Sequence, residues 1–186
     1  MKTILKTVYQ ALVILMIFSI LCGIVYTGTV TGLARLLFQK KADGSILTVR
    51  QAGGTQREYG SALIAQQFSK PEYLIGRPLG TTNLSPSGEK EQELVRQRTA
   101  WWHAFDPSNN APLPSDLVTA SGSGVDPNIS PAAAEYQVSR IARARKINES
   151  DVRTIIRKHT SGRFLGIFGE PAVNVLEVNL ALDGKL

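Results

Sequence analysis

The most chemically suggestive stretch of this sequence is TASGSG, residues 119–124, in which two serines alternate with glycines. A serine nucleophile of a hydrolase typically lies in a G-x-S-x-G elbow, but residues 120–124 read A-S-G-S-G and do not match. A catalytic triad would also require His103 or His159. His159 falls on the apolar face of a predicted helix, a pattern typical of a packed histidine. A hydrolase is therefore the minor hypothesis, which stays open at this point.

The same glycine-rich loop is a candidate for contact with an anion or with another protein. Successive backbone N–H groups attract phosphate, but no Lys-Ser or Lys-Thr follows Gly124, so the Walker A pattern is absent. The favoured interpretation is a tight turn that presents Asp126. A polar, glycine-rich loop is costly to hold without a use, so we expect this loop to contact a partner. The partner-contact candidates are Ser121, Gly122, Ser123, Gly124 and Asp126.

Basic residues are concentrated on two predicted helices between residues 138 and 158. They are Arg140, Arg143, Arg145, Lys146, Arg153, Arg157 and Lys158. Such a cluster is usually a solvated face, although it could bind lipid headgroups or a nucleotide. The nucleotide candidates are Gln137, Arg140 and Arg143. The isolated acids Asp116 and Asp126 do not have the spacing of metal ligands, so no metal site is expected.

The elements that position these residues are expected to form one mixed α+β domain. Residues 45–50 predict a short strand because β-branched residues alternate there. Residues 60–68 predict a short helix with Ser61 as its N-cap. A longer helix is expected to begin at Ser87 or Gly88, with both Trp101 and Trp102 in the core.

The second half of this region predicts two helices and a strand. Ser130 followed by Pro131 is a strong helix start, and the helix is expected to reach residue 145. A further helix is expected from Asn148, with Asp151 as its capping-box partner and Gly162 at its end. Residues 172–182 are rich in β-branched and apolar residues and predict a core strand.

The N-terminal residues 11–30 form an apolar run, and no charged residue lies between Lys6 and Arg35. About 20 apolar residues suffice for a helix to cross ~30 Å of hydrocarbon, so a membrane-spanning helix is expected. Residues 33–38 are expected to continue it. A cleaved signal peptide is less favoured, because the run exceeds the usual ~7–15 residues and no small-x-small cleavage site follows.

Small residues recur along one side of this helix. Ridges of small residues allow close approach of helices in lipid, which favours docking against partner helices. The helix-packing candidates are Ser19, Gly23, Thr27, Gly28, Thr31 and Gly32. A homodimeric membrane receptor built on the Gly28–Gly32 pair is a weaker alternative.

Composition limits the remaining choices. The 186 residues include 21 basic and 15 acidic ones, and only Lys2 and Lys6 precede the apolar run. The remainder is mildly positive and lacks an aromatic-interleaved basic stripe, so nucleic acid is not an expected partner. The single cysteine, Cys22, lies in the apolar run. Positive charges flank both ends of that run, but a short basic N-terminus favours export of the larger part.

Four segments resemble the C subunit of the Kdp potassium-transporting ATPase, and together with the N-terminal anchor they cover nearly the whole chain. They are residues 60–68, 76–78, 116–145 and 159–183, and the TASGSG segment and the GEPAVNVLEVN tail are the most specific. The resemblance implies a short cytoplasmic N-terminus at 1–8, a transmembrane helix at 9–34 and a periplasmic α+β domain at 35–186.

The resemblance also implies a non-catalytic, single-span subunit of a high-affinity potassium pump in the bacterial inner membrane. Its partners would be a channel-like potassium-binding subunit, a P-type ATPase subunit and a small one-helix subunit. ATP and K⁺ would be bound by the complex, with no cofactor of this chain's own. The family is described as assisting assembly and raising the ATP affinity of the catalytic subunit. Because ATP is cytoplasmic, that effect would require long-range conformational coupling.

Overall fold

Residues 1–50 and 54–186 are described in the computed structural model of this chain. They divide into two units, Met1–Ile46 and Leu47–Leu186. The first unit is helical and the second mixes helices with short strands, so the expected α+β class is confirmed.

The first unit is one long helical rod. It comprises α1 (Lys2–Ile20), a widened π-type stretch (Leu21–Tyr26) and α2 (Thr27–Ala42). At the end of this stretch, the hydroxyl of Thr27, the first residue of α2, donates to the Cys22 carbonyl at 2.9 Å. Residues 33–38 continue the rod as predicted, although Phe38 departs from helical geometry with φ −138° and ψ 44°. The rod is long and apolar enough to span a membrane.

The predicted strand at residues 45–50 is present as β1 (Ile46–Arg50), which pairs with β2 (Gln56–Ser61). The predicted helix at 60–68 is wrong. Gly60 has φ +131°, and the Ser61 hydroxyl accepts from the Leu63 N–H at 3.0 Å to form a turn rather than to cap a helix. The Ala65 N–H then donates to the Val125 carbonyl at 2.9 Å, so a long-range hydrogen bond replaces the helical one.

Helix α3 (Glu89–Phe105) begins after Gly88, as predicted. Acidic residues in its first turn suit the positive end of the helix dipole. Trp102 is buried and Trp101 is 45% exposed, so only one of the two tryptophans lies in the core. A 3₁₀ turn (Ser115–Leu117) follows the loop after α3.

The predicted helix from Pro131 forms in two parts, α4 (Pro131–Tyr136) and α5 (Val138–Arg145), separated at Gln137. Its cap is confirmed, because the Ser130 hydroxyl accepts from the Ala133 N–H at 3.1 Å. Lys146, in the left-handed conformation, ends α5.

Helix α6 (Glu149–Lys158) begins after Asn148, but the predicted capping box with Asp151 is wrong. Asn148 makes no side-chain cap, and its carbonyl accepts from the Asp151 N–H. The helix also ends before Gly162, because β4 (Thr160–Ser161) leaves it to join a sheet.

The predicted C-terminal strand is short. Only β5 (Ala172–Asn174) is extended, and α7 (Val175–Leu182) follows it. The Asn174 carboxamide accepts from the Glu177 N–H at 3.1 Å and caps the helix. Five of the eight residues of α7 are buried, and an apolar run buried on most sides has no clear strand or helix period.

The second unit contains a three-stranded antiparallel sheet with the strand order β3 (Asn128–Ile129), β5, β4. Val173 of β5 lies opposite both Ile129 and Thr160 and is fully buried. Side chains of α3 to α7 and of segment 74–76 pack around this strand to form one hydrophobic core. Its largest fully buried apolar members are Leu74, Leu117, Ile141, Val138, Val152, Val173 and Val178.

Candidate partner-contact site

The glycine-rich loop packs tightly against a second loop at residues 80–81. The Gly124 carbonyl accepts a hydrogen bond from the Gly80 N–H at 2.9 Å. Gly124 has φ +69°, and a Cβ there would lie 2.6 Å from the Gly80 carbonyl carbon. Only glycine meets both conditions without a shift of the backbone.

The carbonyls that precede this loop are held by side chains from elsewhere in the chain. Arg98 of α3 donates to the Val118 carbonyl at 2.8 Å, and Trp102 donates to the Leu117 carbonyl at 3.1 Å. Arg77 donates to both the Thr119 hydroxyl and the Ala120 carbonyl at 3.2 Å. Sequence reasoning missed the roles of Arg77 and Arg98, because neither position carries a local signal for a partner so distant in sequence.

The outward side of the loop is polar and ordered by its own side chains. The Ser121 and Ser123 hydroxyls lie 3.3 Å apart, and the Asp126 N–H donates to the Ser121 hydroxyl at 3.4 Å. The Asp126 carboxylate accepts from the Asn128 N–H at 2.9 Å at the start of β3. Gly122 and Ser123 are exposed, whereas Gly124 is buried. The five partner-contact candidates therefore share one tight turn, with a fixed backbone and an open polar face.

A cavity of about 500 Å³ lies beside Arg77. Its lining includes Phe68, Arg77, Arg98, Trp101 and Leu117. The Nε of Arg77 is buried and has no hydrogen-bond partner among the described residues. Two guanidinium groups beside an exposed aromatic ring would suit a flat, negatively charged group.

The nucleotide candidate Gln137 lies in the core, and its carboxamide is bonded to a neighbouring backbone. It accepts from the Ile75 N–H and donates to the Ile75 carbonyl, each at 2.9 Å. The Asn179 carboxamide does the same for Leu74, at 2.7 and 2.9 Å. Two side-chain amides therefore replace a neighbouring strand for residues 74–75.

Arg140 holds the segment immediately before this one. Its guanidinium donates to the Tyr73 carbonyl at 3.1 Å, to the Pro71 carbonyl and to the Gln137 carboxamide at 2.7 Å. Burial lowers the pKa of Arg140 to about 10, and the nearby Asp106 carboxylate counteracts part of that shift. Arg140 therefore has a structural role, and its role in nucleotide binding stays a prediction.

The third nucleotide candidate, Arg143, pairs with a buried carboxylate. Its guanidinium donates to Asp106 at 2.5 Å, and Asp106 is 2% exposed. The Ser108 hydroxyl donates to the same carboxylate oxygen at 3.1 Å. Burial raises the pKa of the nearby Tyr136 hydroxyl, and the charge of Asp106 adds to that shift.

Several other members of the predicted basic cluster are also paired. Arg145 donates to the Glu72 and Leu182 carbonyls at 2.6 Å and to the Asp183 carboxylate at 2.8 Å. Arg153 bonds to Glu135 and Glu149. Much of the cluster is thus internal structure rather than an open charged surface. Lys146, Arg157 and Lys158 are exposed.

The two histidines occupy different surroundings. His159 Nδ1 lies 3.1 Å from a Glu177 carboxylate oxygen, and His103 is exposed near the end of α3. His159 is therefore oriented by an acid on α7, not by the serines of the glycine-rich loop. Across residues 1–50 and 54–186, no group of three or more His, Cys, Asp or Glu side chains could hold a metal ion.

The small residues of the helical rod are exposed. A Cβ added at Gly23, Gly28 or Gly32 would meet nothing within 4 Å in this chain. Cys22 is a free, exposed thiol in the same stretch. The predicted helix-packing role of this ridge stays a prediction, and the ridge is open to an approaching helix.

Comparisons with known proteins agree on one family. The family model described as "KdpC: K+-transporting ATPase, c chain" matches residues 8–184. The chain is 53% identical to the potassium-transporting ATPase KdpC subunit of Listeria monocytogenes serotype 4a over 186 residues, covering 98% of each chain. It is 53% identical to that of Listeria welshimeri with the same coverage, and 44% identical to that of Clostridium perfringens, covering 98% of this chain and 99% of the relative.

Proposed function

Because this chain belongs to the KdpC family, the c chains of K⁺-transporting ATPases, we propose that it is the non-catalytic, single-span subunit of a high-affinity potassium uptake complex. In this proposal another subunit hydrolyses ATP, and the present chain assembles and stabilises the complex. The proposal joins the family membership to one structural observation, the exposed apolar rod.

The observation that carries the proposal is that no residue of α1 or α2 is buried, although most of the rod is apolar. Large apolar side chains each contribute about 1.5–3 kcal/mol when they are removed from water. The exposed large side chains of the rod include Leu12, Ile14, Leu15, Met16, Ile17 and Phe18. Summed over the rod, the cost of leaving it in water is on the order of tens of kcal/mol, which favours burial in a bilayer and against partner helices.

The proposed topology places residues 1–8 in the cytoplasm, 9–34 in the membrane and 35–186 outside, in the periplasm where a cell has one. A membrane-impermeant thiol reagent tests it in a Cys22→Ser background. Asn110→Cys places a thiol on an exposed position of the second unit outside residues 121–126, and Thr3→Cys places one near the N-terminus of the rod. The first should react in intact spheroplasts, and the second only after lysis. The opposite pattern would show that the proposed orientation is wrong.

The partners proposed are a channel-like potassium-binding subunit, a P-type ATPase subunit and a small one-helix subunit. The second unit would cap the potassium entrance of the first of these, with residues 121–126 against the partner. A mildly positive unit repels cations at long range, so its contribution would come from binding and assembly rather than from collecting K⁺. Co-purification of the four chains from membranes tests this proposal.

We include in the proposal an effect on the ATP affinity of the catalytic subunit, through coupling across the membrane. A tenfold change in affinity requires a difference of about 1.4 kcal/mol in how this chain binds two states of the complex. The KM for ATP of complexes with and without this chain measures the effect. An unchanged KM would remove it from the proposal.

A second candidate function, direct binding of a nucleotide, is favoured by the cavity between Arg77, Arg98 and Trp101. An aromatic face and two guanidinium groups could hold a base and a phosphate. Equilibrium dialysis of the full chain in detergent with labelled ATP tests it, with Trp101→Ala as the variant. Binding of ATP to the wild type but not to Trp101→Ala would support this alternative, and hydrolysis of ATP by the chain would then be measured. Absence of binding would favour the accessory role.

A further inference from the structure

The segment 163–170, which joins β4 to β5, carries the most exposed apolar side chains of the second unit. Phe164, Leu165, Ile167 and Phe168 are 71%, 75%, 73% and 63% exposed. Four large apolar side chains within five consecutive residues form a contiguous patch. Contiguous exposed apolar surface marks a contact with a protein or a membrane more often than it occurs without a function.

This hairpin has a fixed shape. Phe164 and Phe168 exchange two backbone hydrogen bonds, at 2.8 and 3.0 Å. Leu165 has φ +53° and Gly166 has φ +76°, so the chain reverses over residues 165–167. At the base, the Arg163 guanidinium donates to both carboxylate oxygens of Glu170, at 2.9 and 2.8 Å. The strands that carry the hairpin are paired in the sheet next to the buried Val173.

Leu165 has the left-handed conformation at an exposed tip, which carries a backbone strain that a buried side chain would offset by packing. The side chain gains nothing in water, where it is 75% exposed. A preorganised apolar tip, in contrast, loses little conformational entropy when it enters a socket. The geometry thus suits a tip that is shaped for binding.

The charge pattern favours a protein over a lipid surface. The hairpin contains one cation and one anion, Arg163 and Glu170, which neutralise each other. It lacks tryptophan, tyrosine and lysine, and its one arginine is already paired with Glu170, so it offers no unpaired cation to lipid headgroups. An apolar centre with a charged pair at its edge is the arrangement of a protein–protein contact.

We propose that the hairpin 163–170 is an apolar anchor that inserts into a complementary apolar socket on another subunit of the same complex. This inference rests on the proposed function, because it assigns a surface to the assembly role. The hairpin is smaller than the ~800 Å² that each partner buries in a stable interface. It would therefore act as the central anchor of a wider contact surface.

The first test compares variants of the full chain, expressed with the other subunits and purified in mild detergent. Leu165→Asn combined with Ile167→Thr removes two apolar side chains, and Asn tolerates the left-handed conformation at residue 165. We expect this double variant to leave the immobilised complex at least tenfold faster than the wild type. The conservative pair Leu165→Met and Ile167→Val should behave as the wild type.

A matched control is Leu63→Asn, which removes a side chain that is 60% exposed elsewhere in the second unit. It should leave the dissociation rate unchanged. Equal retention of the hairpin double variant and the wild type would overturn the inference while leaving the proposed function intact. Failure of the wild-type chain to co-purify with any other subunit would overturn the proposed function and this inference together.

The second test identifies the occupant without a change in stability. A photo-reactive p-benzoyl-phenylalanine replaces Phe168 in the full chain, and membranes are irradiated. An adduct with another subunit supports the inference. Adducts with lipid alone, adducts with a second copy of this chain alone, or the absence of any adduct would each overturn it. A probe at the buried Trp102 serves as the control for non-specific labelling.

Discussion

The backbone of Gly124 lies directly against the backbone of Gly80. Their hydrogen bond measures 2.9 Å, and a Cβ on Gly124 would lie 2.6 Å from the carbonyl carbon of Gly80. Because the atom that the Cβ would meet belongs to the backbone, rotation of a side chain cannot relieve the overlap. The shape of the glycine-rich loop therefore depends on the absence of a side chain at one position.

Gly124→Ala should destabilise the chain by about 1–3 kcal/mol, because alanine resists positive φ and its methyl group meets backbone. Thermal and denaturant unfolding of the full chain in detergent would measure the change. Gly122→Ala is the matched control, since a Cβ there meets nothing within 4 Å. A stable Gly124→Ala chain beside a destabilised Gly122→Ala chain would contradict this account.

Asp126→Ala should weaken potassium uptake or assembly while leaving the chain folded. The variant loses one accepted hydrogen bond, from the Asn128 N–H, with a net cost of about 1 kcal/mol. Growth at limiting potassium and recovery of the complex would measure the functional effect. Asp126→Asn retains a hydrogen-bond acceptor, so its potassium uptake should fall between that of the wild type and that of Asp126→Ala. Full potassium scavenging by Asp126→Ala would remove this residue from the proposed contact.

Arg143→Ala should destabilise the second unit by about 1–3 kcal/mol, because it leaves the Asp106 carboxylate buried without its cation. This destabilisation is smaller than that expected for a fully buried ion pair, since the Arg143 side chain is 53% exposed. The control is Arg96→Ala, which removes the exposed pair with Glu93 and should cause no measurable change. Denaturant midpoints of the two variants make the comparison, and equal midpoints would contradict the prediction.

The Asp183 carboxylate should make stability fall in acid. Burial by itself would raise its pKa, but hydrogen bonds from Lys185, Arg145 and Tyr73 hold the pKa below its ordinary value of 3.8. The folded chain therefore favours the ionised form, so this contribution is present above pH 3.8 and is lost as the pH falls through the depressed value. Asp183→Asn should therefore flatten the loss of unfolding free energy that occurs as the pH falls below 3.8.

The control for this experiment is Asp151→Asn, which changes an exposed carboxylate in the first turn of α6. Its curve should retain the acid slope of the wild type. Parallel slopes for wild type and Asp183→Asn would show that the Asp183 carboxylate does not set the acid limit of stability.

Replacing Gly23 and Gly28 together by leucine should release this chain from its partner subunits in detergent. The added side chains fill the ridge through which a second helix would approach. Retention of this chain during affinity purification of the complex measures the effect. Val25→Leu, which enlarges an exposed side chain of the same helical stretch, is the control. Undiminished co-purification of the double glycine variant would exclude the packing role of the ridge.

Helices with local start signals could be predicted from the sequence. Ser130 with Pro131, and the acids after Gly88, both determine a helix N-terminus through neighbouring residues alone. The errors occur where distant contacts decide. Ala65 bonds to Val125 instead of continuing a helix, and α7 is buried on most sides, so its apolar residues show no strand-or-helix period.

In the candidate site, too, features set by neighbouring residues could be predicted and features set by distant contacts could not. The glycine-rich loop was identifiable because serine and glycine have strong local preferences. Arg77 and Arg98, which hold its preceding carbonyls, were not identifiable, since each bonds to backbone at least 20 positions away. A single sequence does not indicate which distant carbonyl an arginine will reach.

The side-chain amides of Gln137 and Asn179 satisfy the backbone of residues 74–75 in place of a strand. A chain truncated before residue 179 would keep Gln137 as the partner of Ile75 but would lack the side chain that pairs with Leu74. Leu74 is fully buried, so its N–H and carbonyl would lose their shared partner in a place that water does not reach. Completion of the core of the second unit therefore depends on a residue 105 positions further along the chain than the backbone it satisfies.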